Sequence, residues 1–133
     1  MTVKDLLKKH EGLRLKPYHC TAGKLTIGFG RNLEDKGITV AEAEYLLDND
    51  VAEATEQAKT LVKNWDELSE NRKSVLINMT FNMGIDEMRN WRVTLGFIEA
   101  GDFKAAAYNM RLSRWFKQVG SRATELIKMM EDG

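Results

Sequence analysis

Apolar residues at Val40, Ala43, Leu47, Val51, Ala54, Ala58 and Leu61 recur at helical spacing for about six turns, in a chain of only 133 residues. A helix of that length spans about 30 Å, the diameter of a small domain, so the remaining residues have to be organised around it. Thr39, with Glu42 three residues on, forms a capping box that fixes where it starts. The stretch before it carries strand patterning and the stretch after it is helical. There is room for one domain, or for two small lobes sharing the helix, and none for a second independent domain.

The chain begins with a shorter helix. Thr2 and Asp5 make a capping-box start, Val3, Leu6 and Leu7 give one apolar face, and Gly12 ends it with Glu11 in the last turn. Leu13, Leu15 and Pro17 then alternate with Arg14, Lys16 and Tyr18, and Leu25, Ile27 and Phe29 alternate with Thr26, Gly28 and Gly30. Strand periodicity on both sides of a short polar turn containing Gly23 predicts a β-hairpin, with Cys20 near its tip and Thr26 on the returning strand. Gly28 and Gly30 weaken a plain strand reading and mark a bulge or a close backbone approach. Gly37–Ile38–Thr39 reads as a last short strand and turn.

Beyond the long helix, Ser69 caps a helix with Val75, Leu76, Met79 and Met83 on its apolar side, closed by Gly84. Shorter helices are predicted over 92–100, over 103–110 behind Asp102, around Trp115 behind Ser113, and over 122–130 behind Ser121. Met79, Met83, Met129 and Met130 read as gap-filling core.

Glu11, Cys20 and Thr26 are parts for activating water: a carboxyl that gives a proton, a group that takes one, and a hydroxyl that positions the water. Glu11, at the negative end of its helix dipole, is placed as a general acid. Thr26 faces the same side as Gly28 and Gly30, an open strip with room for water. Neither His10 nor His19 has companions at metal-ligand spacing, so no metal site is expected, and His19 points to the face of its strand opposite Cys20.

The spacing Glu, eight residues, Asp or Cys, five residues, Thr is that of the phage-type lysozymes or endolysins of glycoside hydrolase family 24, and Glu11, Cys20 and Thr26 fit it without a gap. The segments Glu11-Gly-Leu-Arg-Leu-Lys and Leu25-Thr-Ile-Gly-Phe-Gly-Arg-Asn32 resemble the family's motifs, Ile77-Asn-Met-Thr-Phe-Asn-Met-Gly84 its central helix, and Ser113-Arg-Trp115 with Arg122 its cleft-lining C-terminal part. The resemblance covers nearly the whole chain. It implies a predominantly helical α+β, lysozyme-like fold: a small β-hairpin lobe (about 12–38), a linking helix (about 39–62), and a helical lobe (about 63–133 with 1–11). The implied reaction is hydrolysis of the β-1,4 bond between N-acetylmuramic acid and N-acetylglucosamine, with no cofactor.

Within that resemblance Gly30, Asn32, Phe81, Asn82, Arg114 and Trp115 are expected to contact substrate, with core packing an alternative for Phe81 and Trp115. Arg122 is expected to approach Glu11, the alternative being a surface pair with Glu125. Arg31 stands where relatives commonly carry histidine and is expected to pair with Asp50. Cys20 stands where many members have Asp. Its role is open between base, covalent nucleophile and small neutral neighbour of a water; the base is favoured, with Lys24 or His19 helping the thiol to ionise. A catalytically impaired peptidoglycan-binding homologue is the competing reading, discriminated by whether Cys20→Asp creates activity or merely preserves it.

Twenty basic residues cancel twenty acidic ones, so nucleic acid is not favoured as a partner. Lys104, Arg111, Arg114, Lys117, Arg122 and Lys128 against Glu125 make a local basic excess, suited either to an anionic polymer such as cell wall or to a solvated helix surface. One cysteine forms no internal disulfide. The start of the chain reads as an amphipathic helix and not as a signal peptide, and no apolar run reaches the ~20 residues of a bilayer span. The expectation is a monomer that acts on bacterial peptidoglycan, waits in the host cytoplasm until lysis, and reaches the wall with the help of a holin.

Overall fold

A computed structural model describes all of residues 1–133. In chain order the elements are α1 (Val3–Glu11), β1 (Arg14–His19), β2 (Leu25–Gly28), β3 (Arg31–Asn32), α2 (Val40–Lys59), a 3-10 turn (Trp65–Glu67), α3 (Glu70–Met83), α4 (Ile85–Arg89), α5 (Arg92–Glu99), α6 (Phe103–Arg111), α7 (Arg114–Val119) and α8 (Ser121–Asp132). This is the predominantly helical α+β class that the sequence predicts. Contacts group the chain into two compact units, Met1–Leu46 and Leu47–Gly133, and α2 contributes residues to both.

The first unit holds a three-stranded antiparallel sheet with β2 in the middle. Tyr18 and His19 pair with Thr26 and Leu25, but Arg14 pairs with Gly28, so three residues of β1 lie opposite Ile27 alone. Pro17 falls in this bulge, where its missing N–H costs no ladder bond. The hairpin turn is closed by Gly23 N–H donating to the Cys20 carbonyl at 2.8 Å and Cys20 N–H donating to the Lys24 carbonyl at 3.0 Å. Gly23, at φ +77, supplies the left-handed residue this turn requires.

The last strand is Arg31–Asn32, not the predicted Gly37–Ile38–Thr39. Residues 29–30 already reverse the chain after β2, so the residues that pair with Thr26 and Ile27 come at once. Residues 33–36 then form a turn, with Lys36 N–H donating to Asn32 O at 3.2 Å and Gly37 N–H to Leu33 O at 3.0 Å. Thr39 ends the approach to α2 with the expected reciprocal bonds: Thr39 N–H to Glu42 Oε1 at 2.8 Å and Glu42 N–H to Thr39 Oγ1 at 3.1 Å.

The second unit is helical around a core that includes Trp65, Leu76, Met79, Met88, Ile98, Met110, Trp115, Ile127 and Met130. Met79 and Met130 are buried and Met83 and Met129 pack against this core, as expected for gap-filling methionine. Helix α8 packs on α3 and α6, and α5 on α6. Ser69, Asp102 and Ser113 accept from the backbone N–H three residues on, as their cap positions predict. Ser121 is instead the first helical residue of α8, and Gly120 at φ +59 precedes it without a side-chain cap.

Candidate active site

Helix α1 stops at Glu11 because Gly12, at φ +71, turns the chain while its N–H satisfies the Lys8 carbonyl at 3.0 Å. The capping box at the other end is complete, Thr2 and Asp5 exchanging bonds of 3.2 and 3.1 Å. Glu11 therefore leaves a helix fixed at both ends. Its side chain lies directly against the backbone of Gly30: a methyl group on Gly30 would stand 2.8 Å from Glu11 Oε2, 3.0 Å from Cδ and 3.3 Å from Cγ. Any residue but glycine here displaces the carboxylate.

Cys20 sits where β1 enters the hairpin turn, half-buried and unpaired. The N–H of Lys24 first, then that of Ala22, hold the thiol below its ordinary pKa; burial opposes them, and the Thr26 hydroxyl adds to them. The cause differs from the expected cation. The Lys24 ammonium is engaged by Glu34 and Asp35, each at 3.4 Å, and it is the Lys24 backbone that serves the sulfur.

Thr26, on the central strand, is 3% exposed, so the strip of β2 expected to be open is closed at this residue. The neighbouring strands flank it with Tyr18 and Asn32. Its hydroxyl donates to the Lys24 carbonyl at 2.8 Å, and its one proton has the Cys20 sulfur as a second acceptor. Along β2 and the turn that follows, Cys20 is set at the Thr26 end and Glu11 at Gly30.

Arg31 does not pair with Asp50. It forms a two-pronged ion pair with Glu42, Nη1 to Oε1 at 2.8 Å and Nη2 to Oε2 at 2.6 Å, and donates to the Gly37 carbonyl at 3.1 Å. The reason is local. The loop after β3 returns the chain so that the third residue of α2, already turned back by its capping box, meets the guanidinium. Hydrogen bonding from Arg31 first, then from the Thr39 backbone, brings Glu42 down to about 2. Asn32 is likewise committed, its amide donating to Asp35 Oδ2 at 3.1 Å and accepting from Asp35 N–H at 3.0 Å.

In the second unit, Phe81 is 46% exposed and lines two concavities, one of about 620 Å³ with Asp50, Glu53 and Asp86, the other of about 350 Å³ with Leu47, Val51, Asn78 and Arg122. Arg122 holds Asn78 Oδ1 through Nε at 3.1 Å and Nη2 at 2.7 Å, in place of a pair with Glu125. Asn82 and Arg114 are exposed. Trp115 is core: it is 6% exposed, meets Trp91 edge to face at 5.6 Å, and its buried Nε1 has no acceptor. A polar pair that the sequence analysis did not single out, buried Thr94 donating to Asn109 Oδ1 at 2.6 Å, lines a concavity of about 330 Å³. The only hint in the sequence is a threonine on an otherwise apolar helix face. Of the basic residues in 103–130, Arg111 pairs with Glu131 at 3.6 Å, while Lys104, Lys117 and Lys128 are exposed.

No three His, Cys, Asp or Glu side chains are grouped to hold a metal ion, and no helix is long and apolar enough to cross a membrane. The family described as Phage lysozyme matches residues 8–131. The chain belongs to the phage lysozyme family. Among phage lysozyme relatives, "Probable T4-type lysozyme 1" of Dictyostelium discoideum is 30% identical over 99% of this chain and 95% of its own length. "Endolysin" of Acyrthosiphon pisum secondary endosymbiont phage 1 is 32% identical over 91% of this chain and 82% of its own. "Pre-baseplate central spike protein Gp5" of Enterobacteria phage T4 is 27% identical over 100% of this chain, which matches 28% of that protein. As a phage lysozyme, this chain carries Glu11 at the end of α1, Cys20 just after β1 in the hairpin turn and Thr26 on β2.

Proposed function

We propose that this phage lysozyme hydrolyses the β-1,4 bond between N-acetylmuramic acid and N-acetylglucosamine in bacterial peptidoglycan. The observation that carries the reading is that one compact unit holds two differently built groups beside its small sheet: the Glu11 carboxyl against the bare backbone of Gly30, and the Cys20 thiol, held below its ordinary pKa by the N–H groups of Lys24 and Ala22.

Glu11 gives its proton to the glycosidic oxygen as the bond breaks. The Cys20 thiolate takes a proton from water, whose oxygen bonds to the anomeric carbon of the muramic acid. The products are a reducing-end muramic acid and a free hydroxyl on the glucosamine. Thr26, too buried to hold water on its own, contributes by donating its hydroxyl to the Lys24 carbonyl, which fixes the end of the hairpin turn beside Cys20. Arg31 and Glu42 tie β3 to the start of α2 and so hold the strand beside Thr26. Phe81 and Asn82 are the exposed candidates for sugar contact. In this reading the chain acts as a monomer and lyses host cells, a role in keeping with a relative named "Endolysin", and it passes from the cytoplasm to the wall with the help of a holin.

Purified peptidoglycan incubated with the protein, with Glu11→Gln and with Cys20→Ser tests the reading. New reducing-end muramic acid from the wild type, lost in both variants, is the expected result. Wall that retains the protein and stays intact establishes the impaired binding homologue instead.

A further inference from the structure

Lys24 joins the thiol to a part of the chain that takes no direct part in the proposed reaction. Its carbonyl accepts from Cys20 N–H at 3.0 Å and from Thr26 Oγ1 at 2.8 Å, which fixes its peptide beside Cys20, and its own N–H is the first of the groups that hold the thiol below its ordinary pKa. The side chain leaves the hairpin tip and ends between Glu34 Oε2 and Asp35 Oδ1, 3.4 Å from each. Those carboxylates belong to a turn that is itself pinned. Asn32 and Asp35 exchange bonds of 3.1 and 3.0 Å, Leu33 N–H donates to the Leu25 carbonyl at 2.8 Å, and Glu34 Oε1 accepts from Leu25 N–H at 3.5 Å.

We propose that Glu34 and Asp35, fixed by Asn32 and acting through Lys24, are positioning residues that hold the hairpin tip in the conformation aiming the Ala22 and Lys24 amides at the Cys20 sulfur. The ion pairs are exposed, with Lys24 at 41% and Asp35 at 57%, so their contribution to overall stability is small. What they restrict is the tip. Besides them the tip is held by the two backbone bonds of its turn, by the Thr26 hydroxyl on the Lys24 carbonyl, by the bonds of Leu25 to Leu33 and Glu34, and by the short pairing of β1 with β2.

Two accounts of these carboxylates predict opposite signs. The charged and titratable groups on the elements around the tip are Arg14, Lys16, Tyr18 and His19 on β1, Lys24, Arg31 on β3 with its partner Glu42, and Glu34, Asp35 and Lys36 in the turn. If Glu34 and Asp35 act on the thiol only as charges, removing them makes it easier to ionise, because two nearby anions are gone and the Lys24 ammonium is freed. If they position the tip, removing them makes the thiol harder to ionise, because the amide donors drift from the sulfur.

The proposal rests on the reading that Cys20 takes part in the reaction, but it is tested on the thiol itself. Cys20 is the only cysteine, so the pH dependence of its alkylation by iodoacetamide in the folded protein reports its ionisation. In Glu34→Gln/Asp35→Asn the alkylation midpoint is expected to rise by roughly 0.5 pH unit, a roughly threefold lower rate at fixed pH below the midpoint. Asn32→Ala, which frees Asp35 without altering charge, is expected to raise it too. Lys24→Arg, which keeps a cation between the carboxylates, is expected to leave it in place. The acid limb of kcat on peptidoglycan should move with the midpoint while KM does not. A midpoint that falls or stays put in both the double variant and Asn32→Ala overturns the proposal. A protein that cleaves no wall, yet shows the alkylation shifts, would refute the proposed reaction and leave the clamp standing.

Discussion

Replacing Gly30 by alanine separates the seat of Glu11 from the stability of the fold. The added Cβ would meet Oε2 at 2.8 Å, where ordinary contact begins at 3.4 Å, so the carboxylate must withdraw by about 0.6 Å. Because Cδ and Cγ are also crowded, at 3.0 and 3.3 Å, the whole side chain has to swing rather than its tip alone. Gly30 stands at φ +79, a conformation that costs an L-residue roughly 1–2 kcal/mol. The expected stability loss is therefore about that much, since the obstructing atoms are the mobile end of a side chain. Activity should suffer far more, because misplacing a reacting group by about 1 Å costs on the order of 100-fold. We expect Gly30→Ala to lower kcat/KM for wall digestion by roughly 10- to 100-fold. Gly101→Ala is the control: Gly101 stands at φ +74 with nothing within 4 Å of its would-be Cβ, so it carries the same backbone strain without touching Glu11. Thermal unfolding should show similar losses for both variants, and muropeptide release should fall only in the first. Equal activity in the two would refute the claim that Gly30 seats the acid.

Three further outcomes follow from the structure. The Glu42 carboxyl is lowered from 4.5 to about 2, so the stability it lends is fully present above about pH 4.5 and is lost as pH falls toward 2; Glu42→Gln should lower Tm at neutral pH and flatten the acid decline in that window. Cys20 is held below the ordinary thiol value, and as a base it works deprotonated, so activity should fall as pH drops through its pKa, while Cys20→Asp keeps activity to lower pH; superimposable pH profiles would remove the thiol from the mechanism. Arg72 lies 3.5 Å over the Phe103 ring and donates to the carbonyls of Met130 and Glu131 at 2.7 and 2.9 Å, so Arg72→Met should cost roughly 2–3 kcal/mol and speed amide exchange at the end of α8.

What the sequence made legible is mostly what local physics decides. The caps at Thr2, Thr39, Ser69, Asp102 and Ser113 depend on a side chain reaching an amide two or three residues away, and each forms. The turn at Gly23 and the apolar face of α3 belong to the same class, whereas of the periodic apolar residues of α2 only Ala54 and Ala58 are buried. Gly120 and Ser121 show how an end shifts when glycine precedes a cap residue. The third strand was misplaced because β3 has two residues and no periodicity of its own; it exists because Thr26 and Ile27 offer it partners. The partner of Arg31 depended on where residues 33–39 return the chain, which one residue's identity does not state. Trp115 was ambiguous by type, since a ring suited to a sugar is equally suited to a core. The donors around Cys20 were invisible for a deeper reason: they are backbone N–H groups of Ala22 and Lys24, and no side-chain motif encodes them.

Digestion of purified peptidoglycan in water enriched in oxygen-18, followed by mass spectrometry of each new chain end, tests the central claim most directly. A hydrolysing muramidase puts one heavy oxygen on the anomeric carbon of a new reducing-end muramic acid, and that is the predicted product. Label on a reducing-end glucosamine, or an unlabelled anhydro end with no water added, would contradict the account.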